Sequence, residues 1–290
     1  MIVSSFAAVK NIVPIQIING KDAVGIGWRV VNSTLYLHSP MQYIRDYYKD
    51  NVGKLWFPIK QLYQTITPVL RRWDKMPRNY DNIYYNSEYT KAWACRLYGW
   101  NYGDVMYPPI DPQYLQVSLS SRSLQSDRSD YYIFVGRLVR FAKELDLIIR
   151  LFNHTGDRLI IMWSGPDEQY LRSIAWASIE WVGQVGDIAE KIKLVWHSSG
   201  LINITRESFG MVTAEALCLW VPVFGYNEWW SVELVDEQSG LLIANKKFDH
   251  IVEQFAIFKN TKRDREKISG KTREVLHWVM TRCLSDAYYL

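Results

Sequence analysis

Two carboxylates eight residues apart bracket the segment Glu207-Ser208-Phe209-Gly210-Met211-Val212-Thr213-Ala214-Glu215. The segment follows an apolar, strand-like run, Gly200-Leu201-Ile202-Asn203-Ile204, and opens an apolar helical run from Met211 to Cys218. Glu207 should therefore precede a helix N-terminus, with Glu215 about two turns in. The free N–H groups of Phe209, Gly210, Met211 and Val212 would point at an anion, helped by the helix dipole, and the two carboxylates would accept hydrogen bonds from hydroxyls on either side. A nucleotide-diphosphate sugar has that layout of charge and hydroxyls. The same residues also fit a plain strand-to-helix turn with two surface glutamates.

The elements that must hold this segment are legible as a pattern. From Tyr131 on, short apolar runs near residues 131, 159, 179, 200, 221 and 240 alternate with helical patterns near 144, 168, 188, 211, 231 and 248. Such alternation predicts an α/β unit whose parallel sheet is covered on both faces. Residues 117–130, rich in Ser and lacking apolar periodicity, read as a linker. The expected organisation is a partial N-terminal lobe over 1–116, that linker, and a C-terminal lobe over 131–290. A length of 290 residues suits two domains.

The 207–215 segment resembles the E-x7-E element of the retaining glycosyltransferases of family 4, which share the GT-B fold of two Rossmann-like lobes with parallel sheets. Upstream, Tyr131-Tyr132-Ile133-Phe134-Val135-Gly136-Arg137-Leu138 followed by Lys143 is similar to that family's strand, Gly-Arg-Leu loop and Lys-bearing helix. Residues 159–168, ending Ser164-Gly165-Pro166-Asp167-Glu168, and Ile179-Glu180-Trp181-Val182-Gly183-Gln184-Val185 follow in the family's order. The resemblance runs from about Thr34 to at least Leu242. It implies a donor held by the C-terminal lobe: base near 179–185, ribose on Glu215, sugar hydroxyls on Glu207, and diphosphate on Arg137, Lys143, Ser208 and the 209–212 amides. Cations there would neutralise leaving-group charge without a metal or other cofactor.

In the first lobe, Leu35-Tyr36-Leu37-His38-Ser39-Pro40-Met41, Arg71-Arg72-Trp73-Asp74, Asn86-Ser87 and Val105-Met106-Tyr107-Pro108-Pro109-Ile110-Asp111 resemble successive family landmarks. The resemblance implies that His38 reaches the reaction centre and that a glycan or lipid-linked acceptor enters past it. It also implies transfer with retention of anomeric configuration, through front-face attack in which the leaving phosphate takes the acceptor proton. Mannosyltransferase-like members are the nearest in pattern.

Composition agrees. A net charge of +4 and a pI near 8.8 are too mild to argue for nucleic acid. Cys95, Cys218 and Cys283 lack metal-ligand spacing and a disulfide framework, and read as reduced core residues. Lys10 and Pro14 interrupt the apolar N-terminus and no basic segment precedes it, so neither a signal peptide nor a membrane span is expected. The expected location is the cytoplasm. Residues 259–273 carry seven Lys or Arg against two acids, which suits a solvated helix face or contact with an anionic membrane.

Two features depart from the family. The opening Ile2-Val3-Ser4-Ser5 resembles a strand well inside the N-terminal domain, so leading strand-helix units, including a glycine-rich loop, are expected to be missing from this sequence: either the sheet is truncated or Met1 is not the true start. The second departure is thirteen Trp beside sixteen Gly. Trp163, Trp220, Trp229 and Trp230 stand where the family pattern has glycine and where backbone freedom or close approach is wanted. Either a gene that uses TGA for glycine has been read as though TGA meant tryptophan, or the residues are genuine and reshape the site. In the latter case they could close the donor pocket and leave a non-catalytic relative that only binds.

Overall fold

The computed structural model describes residues 2–5, 15–18, 27–30, 34–41, 44–45, 48, 52–53, 55–74, 80–114, 116, 129–205, 209–228 and 231–263. The chain divides into two compact units, Met1–Tyr107 and Pro108–Leu290.

The first unit contains strands β1 (Ile2–Ser5), β2 (Ile15–Ile18), β3 (Gly27–Val30), β4 (Thr34–Leu37), β5 (Asn82–Tyr85) and β6 (Asp104–Val105), with helices α1 (Ile59–Asp74) and α2 (Glu88–Tyr98). Four strands form a parallel sheet in the order β1-β4-β5-β6, while β2 and β3 pair antiparallel. Leu35, Leu37, Ile83, Tyr85, Ala94 and Val105 form the core beside it. The Ser87 side chain caps α2 by accepting from Thr90 N at 3.0 Å, and Gly99, at φ 72°, ends the helix. Asp74, the last residue of α1, is buried because Arg45 pairs with it at 2.7 Å and the Tyr98 hydroxyl donates to it at 3.0 Å. Cys95 corrects an expectation: it lies on α2 yet is exposed, whereas Cys218 is buried.

The second unit alternates strand and helix: β7 (Tyr131–Val135), α3 (Arg140–Lys143), α4 (Leu145–Thr155), β8 (Arg158–Met162), α5 (Glu168–Ile174), β9 (Ile179–Gly183), α6 (Ile188–His197), β10 (Gly200–Asn203), α7 (Met211–Cys218), β11 (Val223–Tyr226), α8 (Ser231–Leu234), β12 (Gly240–Ile243) and α9 (Phe248–Asn260). Its six strands are parallel and lie in the order β12-β11-β10-β7-β8-β9. Each sits within about two residues of its expected start. All five residues of β7 and all four of β10 and β11 are buried, as strands covered on both faces must be. On one side, Tyr132, Phe152, Phe224, Phe255 and Phe258 pack ring to ring, with centroids 5.0 Å apart for Tyr132 and Phe255 and 5.4 Å for Phe224 and Phe258. This cluster joins β7 and β11 to α4 and α9. Residues 117–128 of the Ser-rich stretch lie outside the described residues. The architecture is that of the GT-B fold, α/β with parallel sheets, and among the described residues the first unit's parallel sheet has four strands against six in the second.

Candidate functional site

The strand order reverses between β7 and β10: β8 and β9 continue to one side of β7, and β11 and β12 lie beyond β10. In open parallel sheets the crevice outside the carboxyl ends of the strands at such a reversal is where ligands bind. The described residues that leave these two neighbouring strands are 136–139 after β7 and 204–205 and 209–210 after β10. They contain, or lead into, the residues singled out above.

The first loop is held by backbone contacts with the turn after β8. Leu138 N donates to Ser164 O at 3.2 Å, Asp167 N to Leu138 O at 3.3 Å, and Arg140 N to the Asp167 carboxylate at 2.9 Å. Gly165 allows this approach, since a Cβ there would lie 2.4 Å from Leu138 O. Asp167 thus anchors the start of α3, which ends in Lys143. The Lys143 stem passes close to Gly136, whose added Cβ would lie 3.8 Å from Lys143 Cε. Burial holds the Lys143 ammonium down at about 8. Arg137 is exposed at the tip of the loop and makes no ion pair with a described residue. Both cations therefore sit on one short loop-helix unit at the sheet's carboxyl edge.

The second loop is tied down by side chains. Asn203, the last residue of β10, donates to the Thr213 hydroxyl at 3.0 Å and accepts from the Thr205 hydroxyl at 2.5 Å, and all three are buried. This network fixes the start of α7 against the strand. Gly210 precedes the helix and brings no side-chain cap of its own, and Ala214 N donates to Gly210 O at 3.1 Å. Phe209, Met211 and Val212 are half-buried there, and Gly210 is buried. Glu207 and Ser208 lie outside the described residues, as do Trp229 and Trp230.

Glu215 is the fifth residue of α7, little more than one turn from its start rather than two. Its carboxylate accepts from Lys191 Nζ at 2.8 Å, in a largely buried ion pair. The Lys191 ammonium also lies 5.4 Å from the centre of the Tyr114 ring. The Tyr114 hydroxyl is buried beside this pair without a well-formed hydrogen bond, and burial first, then the charge of Glu215, pushes its ionisation well above the usual phenol range. Lys191, Tyr114 and the Asn203-Thr205-Thr213 network are site features the sequence reading missed. The one available signal was the pair of polar residues, Asn203 and Thr205, at the end of an otherwise apolar strand.

His38 belongs to the first unit. It follows β4, is half-buried, packs edge-on to Tyr36 at 4.8 Å between ring centres, and its backbone O accepts from Thr90 Oγ1 at 3.4 Å. Burial lowers its pKa, which favours the neutral imidazole. Trp163 and Trp220 both have positive φ, 123° and 62°. No group of three or more His, Cys, Asp or Glu among the described residues is gathered as a metal site, and no helix among them is long and apolar enough to cross a membrane.

A parallel sheet with loops of this kind at its reversal defines a Rossmann-like lobe. The model of the family "glycosyl transferases group 1" matches residues 119–275, more than half of the chain, and the chain belongs to that family. No curated protein sequence matches it. Among solved structures, HepE from Anabaena in complex with UDP superposes with a TM-score of 0.61 at 14% identity, over 88% of this chain and 72% of HepE. AviGT4, a glycosyltransferase involved in avilamycin A biosynthesis, gives 0.54 at 17% identity, over 70% of this chain and 62% of its own. The pneumococcal O-GlcNAc transferase GtfA in complex with UDP and GlcNAc gives 0.54 at 15% identity, over 86% and 56%. The chain thus spans less than two thirds of the length of AviGT4 and of GtfA. At these identities the likeness is one of fold.

Proposed function

We propose that this protein transfers a sugar from a nucleotide-diphosphate donor to a glycan or lipid-linked acceptor, with retention of configuration and without a metal. The observation that carries the reading is the convergence at one reversal point of a loop-helix unit bearing Arg137 and Lys143 and a helix N-terminus, opened by Gly210, that leads to Glu215. The diphosphate lies against the 209–212 amides and the two cations, the Glu215 carboxylate that accepts from Lys191 accepts instead from the ribose hydroxyls, and Glu207 holds the sugar. Catalysis is then charge stabilisation and positioning: the leaving phosphate is neutralised as the bond breaks and takes the acceptor proton. His38, as a neutral imidazole, orients the sugar. A mannose-like hexose and a cytoplasmic setting, with peripheral membrane contact by the basic 259–273 segment, complete the reading.

The test is incubation with UDP- and GDP-sugars and a lipid-linked acceptor, following the anomeric configuration of product by NMR. Retained product from the parent chain, lost in Glu207→Ala, supports the proposal; inverted product sinks the front-face route. A second reading, binding without turnover, is favoured by Trp163 standing beside the cation loop and by the Lys191 pairing of Glu215. Saturable UDP binding with no transfer to any acceptor would select it.

A further inference from the structure

Three non-glycine residues among those described have φ in the left-handed half of the map: Glu144, Trp163 and Trp220. Two of the three are tryptophan, in a chain with thirteen tryptophans among 290 residues. Glu144, at φ 53° and ψ 31°, sits in the small left-handed well that single residues occupy between helices. The tryptophans stand in harder places.

Trp220 ends α7. Its N–H donates to Leu217 O at 3.0 Å and the N–H of Val221 reaches back to Ala216 O at 2.9 Å, which is the hydrogen-bond pair of a Schellman turn. That turn requires a left-handed residue where Trp220 stands, and glycine supplies it without a Cβ penalty. The same chain ends α2 with Gly99 and α4 with Gly156, both at φ 72°. Trp163, at φ 123°, lies outside the left-handed well, in territory that glycine alone enters freely. Its backbone has little freedom to relax. Trp163 N donates to Gly183 O at 2.7 Å, and two residues on Gly165 is pressed against Leu138.

We propose that positions 163 and 220 are glycine in the protein as its own cell makes it, the gene carrying at both a TGA codon that its native translation reads as glycine and that appears here as tryptophan. The backbone at both sites is glycine backbone. At 163 the consequence reaches the candidate site, because an indole is removed from the turn that packs on the cation loop. The inference rests on local conformation and not on the proposed transfer reaction, so a folding measurement tests it whether or not transfer is seen.

The full chain is compared with Trp163→Gly, Trp220→Gly, Trp220→Ala and Trp181→Gly by urea denaturation. Trp181 is a half-buried strand residue outside the positive-φ set, with the Arg172 guanidinium 4.9 Å from its ring centre, and serves as the control. Removing a packed tryptophan ordinarily costs stability, and Trp181→Gly should lower the urea midpoint. Trp163→Gly and Trp220→Gly should instead raise it, and Trp220→Ala should fall below Trp220→Gly because alanine restores the Cβ penalty without the indole. Independently, the gene is read at these codons and the protein isolated from its native host is sequenced by mass spectrometry. TGA at both positions with glycine in the peptides supports the proposal. TGG at either, tryptophan in the native peptides, or a lowered midpoint for either glycine variant overturns it.

Discussion

The two loops at the reversal point of the second sheet are neighbours, yet they are built differently. The 136–143 unit is held by main chain: Leu138 exchanges hydrogen bonds with the turn after β8, and Gly165 leaves the room. The 204–215 unit is held by side chains: Asn203, Thr205 and Thr213 lock the start of α7. The first arrangement asks for glycine at 165 and one carboxylate, Asp167, on Arg140 N, whereas the second depends on three polar side chains being the right ones. The cations ride on the first and the amides on the second. A diphosphate bridging them would draw on both.

The largest way to break this comparison is Gly165→Ala. Its Cβ would sit 2.4 Å from Leu138 O and 2.6 Å from Leu138 N, so the main-chain clamp must open. A stability loss of about 3 kcal/mol is expected in urea denaturation, together with loss of UDP binding in calorimetry. Next is Lys143→Met, which removes the buried cation while keeping its stem. UDP affinity should drop by about 2 kcal/mol, roughly 30-fold, while the urea midpoint holds or rises. Unchanged affinity would take Lys143 out of the donor site. In the side-chain-held loop, Asn203→Ala strands the Thr213 and Thr205 hydroxyls and should cost about 1.5 kcal/mol of stability; a neutral result would mean that α7 is positioned by something else.

These contrasts also mark what could be read in advance. The strands β7 to β12 were legible because continuous apolar runs alternate with helical periods, and the place of Arg137 on the loop and Lys143 on the helix after β7 was legible because both directly follow an apolar strand. Lys191 and Tyr114 were not: they reach Glu215 from 24 and 101 positions away in sequence, and nothing local to a lysine on an amphipathic helix announces its partner. Cys95 was misread because α2 buries Thr90, Trp93 and Ala94 on one face and leaves the next residue outside. The pairing of β2 with β3 was missed although Asn19-Gly20, a hairpin signal, follows β2 directly in the sequence.

Smaller effects sharpen the same picture. Burial holds Lys143 at about 8 in the free protein, below its ordinary value, and a bound diphosphate favours the charged form and raises it. UDP affinity should therefore be full below pH 8 and fall by up to about tenfold per pH unit above it, a slope that Lys143→Met abolishes. Folding stability should move the other way: the unfolded chain keeps the proton up to the ordinary lysine value, so stability rises with pH above about 8. The smallest expected change is for Lys191→Met, which removes the present partner of Glu215 and, under the proposed donor pose, leaves the carboxylate to ribose hydroxyls. UDP affinity should stay within about threefold of the parent, roughly 0.6 kcal/mol, whereas a collapse would show that Lys191 itself touches the nucleotide.

The five rings that join β7 and β11 to α4 and α9 have a kinetic consequence. Amide protons exchange with solvent only when their hydrogen bonds open, and a strand pinned by a dense aromatic cluster opens only with the whole lobe. Ile133, Phe134 and Val135, which lead into the cation loop, should therefore be among the slowest-exchanging amides in the protein, while the first-turn amides at 211 and 212, which have no carbonyl four residues back within the helix, should exchange faster until a ligand covers them. Deuterium uptake would then report occupancy of the α7 terminus against an internal clock that the ligand does not touch.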